Sequence, residues 1–195
     1  MAILLQNINP HPNPKVSLEQ YTTPADLAAE ILFNACYSYG DIEGRSVVDL
    51  GTGTGRLAIG AAILGAEYTV GVDIDPDAVE IAWKNCKGLD VDWVVGNLTV
   101  LRGKFETVLM NPPFGTKQPH ADIHFLETAL KLGRVVYSIH KSSTKQFVES
   151  WLKAHNAVLE TVMATRIWVN HQFHFHRKST YPVEVEVYRI LPKKT

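Results

Sequence analysis

A glycine-rich turn followed by a distant carboxylate is the first chemical signal in this chain. The segment DLGTGTG (49–55) follows a short apolar run and precedes an alanine-rich one. Three glycines at alternate positions let the backbone turn tightly and approach a ligand closely. Asp73 ends the next apolar run, where a carboxylate can accept hydrogen bonds from both hydroxyls of a ribose. The pattern predicts a site for a cofactor that contains a nucleoside.

The spacing of the glycines bears on which cofactor this is. Dinucleotide sites use GxGxxG and bind a pyrophosphate at a helix N-terminus, whereas the spacing here is GxGxG. Asp49 stands just before the turn, and its negative charge suits a cationic amino-acid group better than a pyrophosphate. The motif therefore favours S-adenosylmethionine over NAD. Taken alone, it is also compatible with a tight turn that binds nothing.

The tetrapeptide Asn111-Pro112-Pro113-Phe114 is the more specific motif. Two successive prolines stiffen the loop and remove two amide donors, which leaves the Asn111 side-chain oxygen and the Pro112 carbonyl as acceptors. An exocyclic amine of a base is a poor nucleophile, and two acceptors that hold its two hydrogens would aim its nitrogen at a methyl carbon. Phe114 offers a face for stacking a base withdrawn from its helix. The alternative is a rigid loop with a buried phenylalanine.

These motifs need a sheet that brings them to one edge. Short apolar runs predict strands over 46–50, 68–73, 91–95, 105–110 and 134–139, with helical segments between them. Two long alternating segments at 158–169 and 183–191 favour an antiparallel hairpin. We predict one α/β domain over 1–195, with a seven-stranded, mostly parallel sheet and helices on both faces. Prolines predict an extended arm over 1–16, and Thr23 is a candidate cap for the first helix.

Composition excludes several classes of protein. With 46% apolar residues the chain can form a core, and it contains no apolar run long enough to span a membrane. The N-terminal residues do not resemble a secretion signal, and the two cysteines are far apart. We therefore expect a protein without disulfides in the reducing cytoplasm, or in a nucleus if the source has one.

A cluster of histidines is the one candidate for a metal site. His171, His174 and His176 have a spacing that could hold zinc, but basic residues flank them and no nearby carboxylate or cysteine completes the set. RNA contact and a solvated loop are the alternatives, and no metal is predicted.

Charge is distributed unevenly along the chain. Residues 1–130 carry 8 basic and 16 acidic side chains, whereas residues 131–195 carry 11 basic and 4 acidic ones. A cationic block on an acidic body suggests a polyanionic partner such as RNA. Lys141, Arg177 and Lys178 are the candidate phosphate contacts, and a solvated basic surface is the alternative.

Taken in order, the motifs resemble a known enzyme family. LEQYTT (18–23), DLGTGTGRLAIGAAILGA (49–66), GVDID (71–75), MNPPFGTK (110–117) and SIHKSSTK (138–145) occur in the same order as in archaeal–eukaryotic NPPF-type RNA adenine-N6 methyltransferases. The resemblance implies a class I, Rossmann-like methyltransferase fold and S-adenosylmethionine as donor. It also implies adenine N6 of small-subunit ribosomal RNA as the acceptor.

The resemblance assigns roles position by position. Gln20 and Thr23 match a segment that closes over the cofactor, and Asp73 matches the ribose carboxylate. Asn97 and Leu98 match the pair at the cofactor's adenine edge. The methionine side of the cofactor is matched by Gly51, Gly53, Thr54 and Arg56. The catalytic residues are matched by Asn111, Pro112, Pro113 and Phe114.

The resemblance also implies a protein partner, and two rival functions are weighed against it. The strand at 91–95 should lie at a sheet edge, where the resemblance implies strand addition by a small zinc-binding activator protein, as in the family's eukaryotic members. The alternative is a short edge strand with helices over both faces and no partner. One rival methylates a glutamine amide in a protein, but such enzymes carry Tyr in place of Phe114 and an extra N-terminal domain. The other rival is a non-catalytic RNA-binding subunit, which the intact Asn111 and Asp73 disfavour.

Overall fold

A seven-stranded mixed sheet forms the centre of the molecule. The computed structural model describes residues 1–115, 121–170 and 180–193. The strands are β1 (Ser46–Leu50), β2 (Tyr68–Asp73), β3 (Asp92–Val95), β4 (Phe105–Met110), β5 (Gly133–Lys141), β6 (Ala157–Asn170) and β7 (Thr180–Pro192). Their order is β3-β2-β1-β4-β5-β7-β6, with β1 to β5 parallel and β7 antiparallel to both neighbours. The predicted sheet and C-terminal hairpin are confirmed.

Six α-helices accompany this sheet in the described residues. They are α1 (Ala2–Gln6), α2 (Ala25–Phe33), α3 (Arg56–Ile63), α4 (Pro76–Cys86), α5 (Ala121–Leu132) and α6 (Lys145–Ala154). One apolar cluster joins one face of the sheet to α1, α2 and α3, and a second joins the other face to α5 and α6. Because both faces are covered, β1 and β4 are buried along almost their whole length. None of the helices in the described ranges is long and apolar enough to cross a membrane.

The N-terminal residues depart from the predicted extended arm. Residues 2–6 form the short helix α1, in which Leu5 is fully buried, and Ile8 just after it is 5% exposed. The first proline is Pro10, so the apolar residues before it can form a helix that packs on α2. The prediction of an arm over 1–16 is therefore wrong for α1.

The start of α2 also differs from expectation. Pro24 is its N-cap and no side chain caps this helix. The hydroxyl of Thr23 instead accepts a hydrogen bond from Asn111, which lies 88 residues away in sequence. The predicted capping role of Thr23 is wrong because a tertiary contact uses its hydroxyl oxygen.

The C-terminal hairpin extends past the edge of the parallel sheet. The register of β5 with β7 ends at the pair Lys141 and Val185, whereas β6 and β7 remain paired up to Asn170 and Thr180. About five residues of each hairpin strand therefore lie beyond the carboxyl end of β5. The loops that follow the other parallel strands leave the sheet at the same edge.

Candidate active site

The two chemistry-bearing motifs leave the sheet side by side. Leu50, the last residue of β1, pairs with Met110, the last residue of β4. The glycine turn follows the first and the Asn111 loop follows the second, so both begin on neighbouring strands about 5 Å apart. The prediction that they share one sheet edge is confirmed.

The glycine turn has a backbone that requires glycine. Gly51, Gly53 and Gly55 have φ values of 67°, 55° and 88°, in the left-handed region. A Cβ on Gly51 would also come within 2.8 Å of the Phe125 ring, whereas a Cβ on Gly53 would meet no described atom within 4 Å. The backbone at Gly53 therefore borders space that a ligand can enter. Thr54 is buried, and its carbonyl accepts a hydrogen bond of 3.0 Å from the side-chain amide of Asn85.

Asp49 supports this turn from beneath. Its side chain is buried, and Oδ2 accepts hydrogen bonds from the Thr52 hydroxyl at 2.7 Å and the Ala58 amide at 3.1 Å. Burial raises the pKa of the Asp49 carboxyl to about 7, although both hydrogen bonds favour the charged form. The carboxylate thus connects the turn to the first turns of α3.

Asp73 connects the end of β2 to the same turn. Its Oδ2 accepts from the Gly53 amide at 2.8 Å, and its Oδ1 accepts from the Asp75 amide at 2.9 Å. Burial raises the pKa of the Asp73 carboxyl above its ordinary value, and the backbone amides oppose that shift. The Ile74 amide also donates to this carboxylate, so three of its about four acceptor positions are used and one remains for a ligand hydroxyl.

Gln20 and Arg56 attach the N-terminal segment to this edge. The Gln20 amide donates to Asp75 Oδ2 at 2.7 Å, and Lys15 forms an ion pair with the same carboxylate at 2.6 Å. The Arg56 guanidinium donates to the Thr23 carbonyl and, at 3.2 Å, to the Ile8 carbonyl. Of the two predicted cofactor residues, Arg56 thus contacts the segment that contains Thr23, and Gln20 contacts the Asp75 carboxylate.

Asn97 and Leu98 lie after β3. Asn97 caps a single 3₁₀ turn, Leu98–Val100, through a hydrogen bond of 3.1 Å from the Thr99 amide to Oδ1. Leu98 packs against the apolar cluster on the α5 face. This places the predicted adenine-edge pair just after β3, the strand next to the one that ends at Asp73.

The loop that carries Asn111 and Phe114 makes polar and aromatic contacts with two other segments of the chain. Asn111 Oδ1 accepts from the Tyr21 hydroxyl at 2.7 Å, and its Nδ2 donates to Thr23 Oγ1 at 3.0 Å. The Phe114 ring lies 5.3 Å from the Tyr21 ring between centroids. The Lys141 ammonium lies 5.1 Å from the Phe114 centroid. The structure thus brings Lys141, predicted to contact RNA, to the loop that carries Asn111 and Phe114.

Some predicted site residues lie outside the part of the chain that the structure describes, and one residue that contacts Asn111 was not predicted. Arg177, Lys178 and the histidines at 171, 174 and 176 lie outside the described residues. Sequence reasoning did not single out Tyr21, because its partner Asn111 is 90 residues away and no local pattern links them. Its position inside the LEQYTT segment was the only available signal.

Comparison with known proteins identifies the family. A family model described as Ribosomal protein L11 methyltransferase (PrmA) matches residues 30–111. The rRNA N(6)-adenosine-methyltransferase Mettl5 of Drosophila melanogaster is 38% identical over 95% of this chain and 92% of its own length. The chain belongs to this rRNA N(6)-adenosine-methyltransferase family. The member from Danio rerio is 35% identical over 96% of this chain and 95% of its own length.

Solved structures agree with membership of this family. PH1948 from Pyrococcus horikoshii, described as a candidate RNA methyltransferase, superposes with a TM-score of 0.91. It is 40% identical, and the match covers 99% of this chain and 96% of that one. Protein 1320 of Thermoplasma acidophilum superposes with a TM-score of 0.74 at 30% identity. The match covers 100% of this chain and 96% of that one. The predicted class I methyltransferase fold is confirmed.

Proposed function

We propose that this chain transfers a methyl group from S-adenosylmethionine to adenine N6 of ribosomal RNA. One observation carries the proposal: the Asn111 amide and the glycine turn emerge from the paired strand ends Met110 and Leu50. A cofactor held by the turn and a base held by the Asn111 loop would therefore lie in neighbouring positions. The rRNA methyltransferase relatives support the same reading.

The residues at the glycine turn suit S-adenosylmethionine. The open space beside Gly53 admits a ligand, and the remaining acceptor position of the Asp73 carboxylate can accept from a ribose hydroxyl. When bound, the cofactor supplies a methyl group on a positively charged sulfur. The buried carboxyl of Asp49 supports the turn through the Thr52 hydroxyl, and its negative charge suits a cationic ligand group bound above the turn. Arg56 and Gln20 hold the closing segment against the same edge.

Positioning of the base carries the chemical step. Asn111 Oδ1 and the Pro112 carbonyl accept the two hydrogens of the exocyclic amine, so the nitrogen lone pair turns toward the methyl carbon. Pro113 keeps the loop rigid, and Phe114 stacks on the extruded base. Formation of the nitrogen–carbon bond would break the methyl carbon–sulfur bond and leave its electron pair on sulfur, and the methylated nitrogen would then lose its extra proton to water.

The hairpin and Lys141 supply a surface for RNA next to this site. Lys141 lies beside Phe114 at the sheet edge, and the hairpin strands extend beyond that edge. Trp168, on the extended part of β6, is 64% exposed and can stack on a base. We propose that phosphates bind Lys141 together with Arg177 and Lys178, the basic residues of the 171–179 segment.

The outer edge of β3 is the proposed site for a small zinc-binding partner. In the described residues β3 pairs only with β2, so its other side presents free backbone groups. Val95 on β3 is 53% exposed and Trp83 nearby on α4 is 66% exposed. The half-buried Trp93 lines one cavity with Trp83 and Val91, while its ring packs over Gly71 within the protein. A lysine at position 93 would disturb this packing, so the edge is better tested at the exposed Val95.

We also propose that the chain acts in the cytoplasm. Its two cysteines, Cys36 and Cys86, are free and buried, as suits a reducing compartment. Fractionation of cells that express the tagged chain would test the location.

A single labelling experiment tests the proposed activity. The protein is incubated with S-adenosylmethionine labelled in the methyl group and with total RNA or total protein, and each product is digested. Label in N6-methyladenosine from ribosomal RNA is the expected result. Label in a glutamine side chain, or no label in the presence of bound RNA, would contradict the proposal in favour of the two rival functions.

A further inference from the structure

The amide of Asn111 is held at both ends by two residues of the segment before α2. The Tyr21 hydroxyl lies 2.7 Å from Oδ1 and the Thr23 hydroxyl lies 3.0 Å from Nδ2. The shorter distance is typical of an O–H···O bond and the longer one of an N–H···O bond. The amide therefore lies with its oxygen end toward Tyr21 and its nitrogen end toward Thr23.

Tyr21 is well suited to act as the donor in this pair. Burial raises the pKa of its phenol far above the ordinary value, so the hydroxyl keeps its proton at neutral pH. The ring packs against Phe114 with an interplanar angle of 32°, which limits the directions that the hydroxyl can take. The phenol occupies one lone pair of the Asn111 oxygen and leaves the second available.

We propose that Tyr21 is a positioning residue that orients the Asn111 amide for catalysis. This inference rests on the proposed transfer to adenine N6. With Oδ1 turned toward the site, the amine of the base meets an acceptor. With the amide rotated by half a turn, the amine would meet the Nδ2 donor and the hydrogen bond would be lost. Tyr21 acts through Asn111, and Thr23 secures the other end of the amide.

The first test removes the hydroxyl and keeps the ring. Tyr21→Phe should lower kcat for methyl transfer to RNA about tenfold, since one oriented hydrogen bond is lost. The KM for RNA and the calorimetric Kd for S-adenosylmethionine should stay unchanged. Tyr37→Phe, at a tyrosine that is 64% exposed, is the matched control. An unchanged kcat would overturn the proposal. So would a rise in the Kd for S-adenosylmethionine large enough to explain the loss of activity.

The second test asks whether the effect depends on amide orientation. In Asn111→Asp both ends of the side chain are oxygens, so orientation no longer matters. Adding Tyr21→Phe to Asn111→Asp should change the single-turnover rate by less than about twofold, against about tenfold in the parent. A tenfold loss in both backgrounds would show that Tyr21 has a general structural role, and would overturn the proposal.

Thr23 offers a rescue experiment on the opposite end of the amide. Thr23→Val removes the acceptor for Nδ2 and should lower kcat, whereas Thr23→Ser restores it. Equal rates in the two variants would contradict this part of the proposal.

Failure of this inference is distinguishable from failure of the proposed function. If Asn111→Ala still methylates adenine at the parent rate, the catalytic role of Asn111 is wrong. If Asn111→Ala is inactive and Tyr21→Phe is fully active, only the positioning role of Tyr21 is wrong.

Discussion

The backbone amide of Gly53 donates a hydrogen bond of 2.8 Å to Asp73 Oδ2, which joins the glycine turn to the carboxylate at the end of the next strand. The two motifs that predict a nucleoside cofactor are thus one structural unit. Loss of the Asp73 side chain removes an acceptor for the ligand and also a support of the turn.

Substitution of Asp73 should act first on cofactor binding. Asp73→Ala should weaken the Kd for S-adenosylmethionine on the order of a hundredfold, because hydrogen bonds to a charged group contribute about 1.5–3 kcal/mol each. Asp73→Asn keeps one side-chain oxygen and should give a smaller loss. Titration calorimetry measures both values. An Asp73→Ala protein that binds as tightly as the parent would rule out the ribose assignment.

Substitution of Asn111 should separate catalysis from cofactor binding. Asn111→Ala should reduce methyl transfer on the order of 10²–10³-fold, because an acceptor aimed at the reacting amine is lost. The Kd for S-adenosylmethionine should change little. Single-turnover assays and calorimetry on the same preparation check the two expectations. Equal losses in both would mean that Asn111 supports the cofactor pocket.

Lys141 should contribute to RNA binding through phosphate charge. Lys141→Ala should reduce the slope of log Kd against log salt by about 0.7, the value for one phosphate contact on a single strand. Lys153→Ala is the control, since Lys153 is an exposed residue at the far end of α6. Fluorescence anisotropy at several salt concentrations measures the slope. The same slope in parent and Lys141→Ala would remove this residue from the RNA surface.

A charge on the edge of β3 should block the proposed partner without damage to the fold. Val95→Lys places an ammonium at a position that is 53% exposed and should abolish co-purification of a partner that adds a strand there. Val158→Lys, on the opposite sheet edge at 45% exposure, is the matched control. Thermal melts check that both variants fold. Retention of the partner by Val95→Lys would contradict strand addition at this edge.

His140 should make the fold sensitive to acid. Burial lowers the pKa of its imidazole to about 4, and its Nε2 lies 2.7 Å from the Ser138 hydroxyl. The unfolded chain binds the proton near pH 6.5, so the stability that neutral His140 contributes is present above that pH and is lost as pH falls toward 4.

The change His140→Gln isolates this effect. Between pH 6.5 and 4 the free energy of unfolding of the parent should fall more steeply than that of the variant, by at most about 1.4 kcal/mol per pH unit. Urea unfolding at a series of pH values gives both slopes, with the exposed His155→Gln as control. Parallel slopes for parent and His140→Gln would refute this linkage.

Strand positions were predictable because buried parallel strands have a short-range signature. The apolar runs at 46–50, 68–73 and 105–110 coincide with β1, β2 and β4 as observed. Parallel strands end at one edge, so the adjacency of the glycine turn and the Asn111 loop also followed from the sequence. The alternation in the last third predicted the hairpin for the same local reason.

Contacts between distant segments were decided only by the tertiary structure. The helix α1 forms because Leu5 finds a buried place against α2, and Trp93 turns inward because Gly71 leaves room for its ring. The bonds of Asn111 to Tyr21 and Thr23 join residues about ninety positions apart. Periodicity records which face of an element is apolar, whereas a pairing of single side chains depends on how whole elements pack. The sequence by itself therefore determined the elements and the edge that carries the site, and packing decided which side chains meet there.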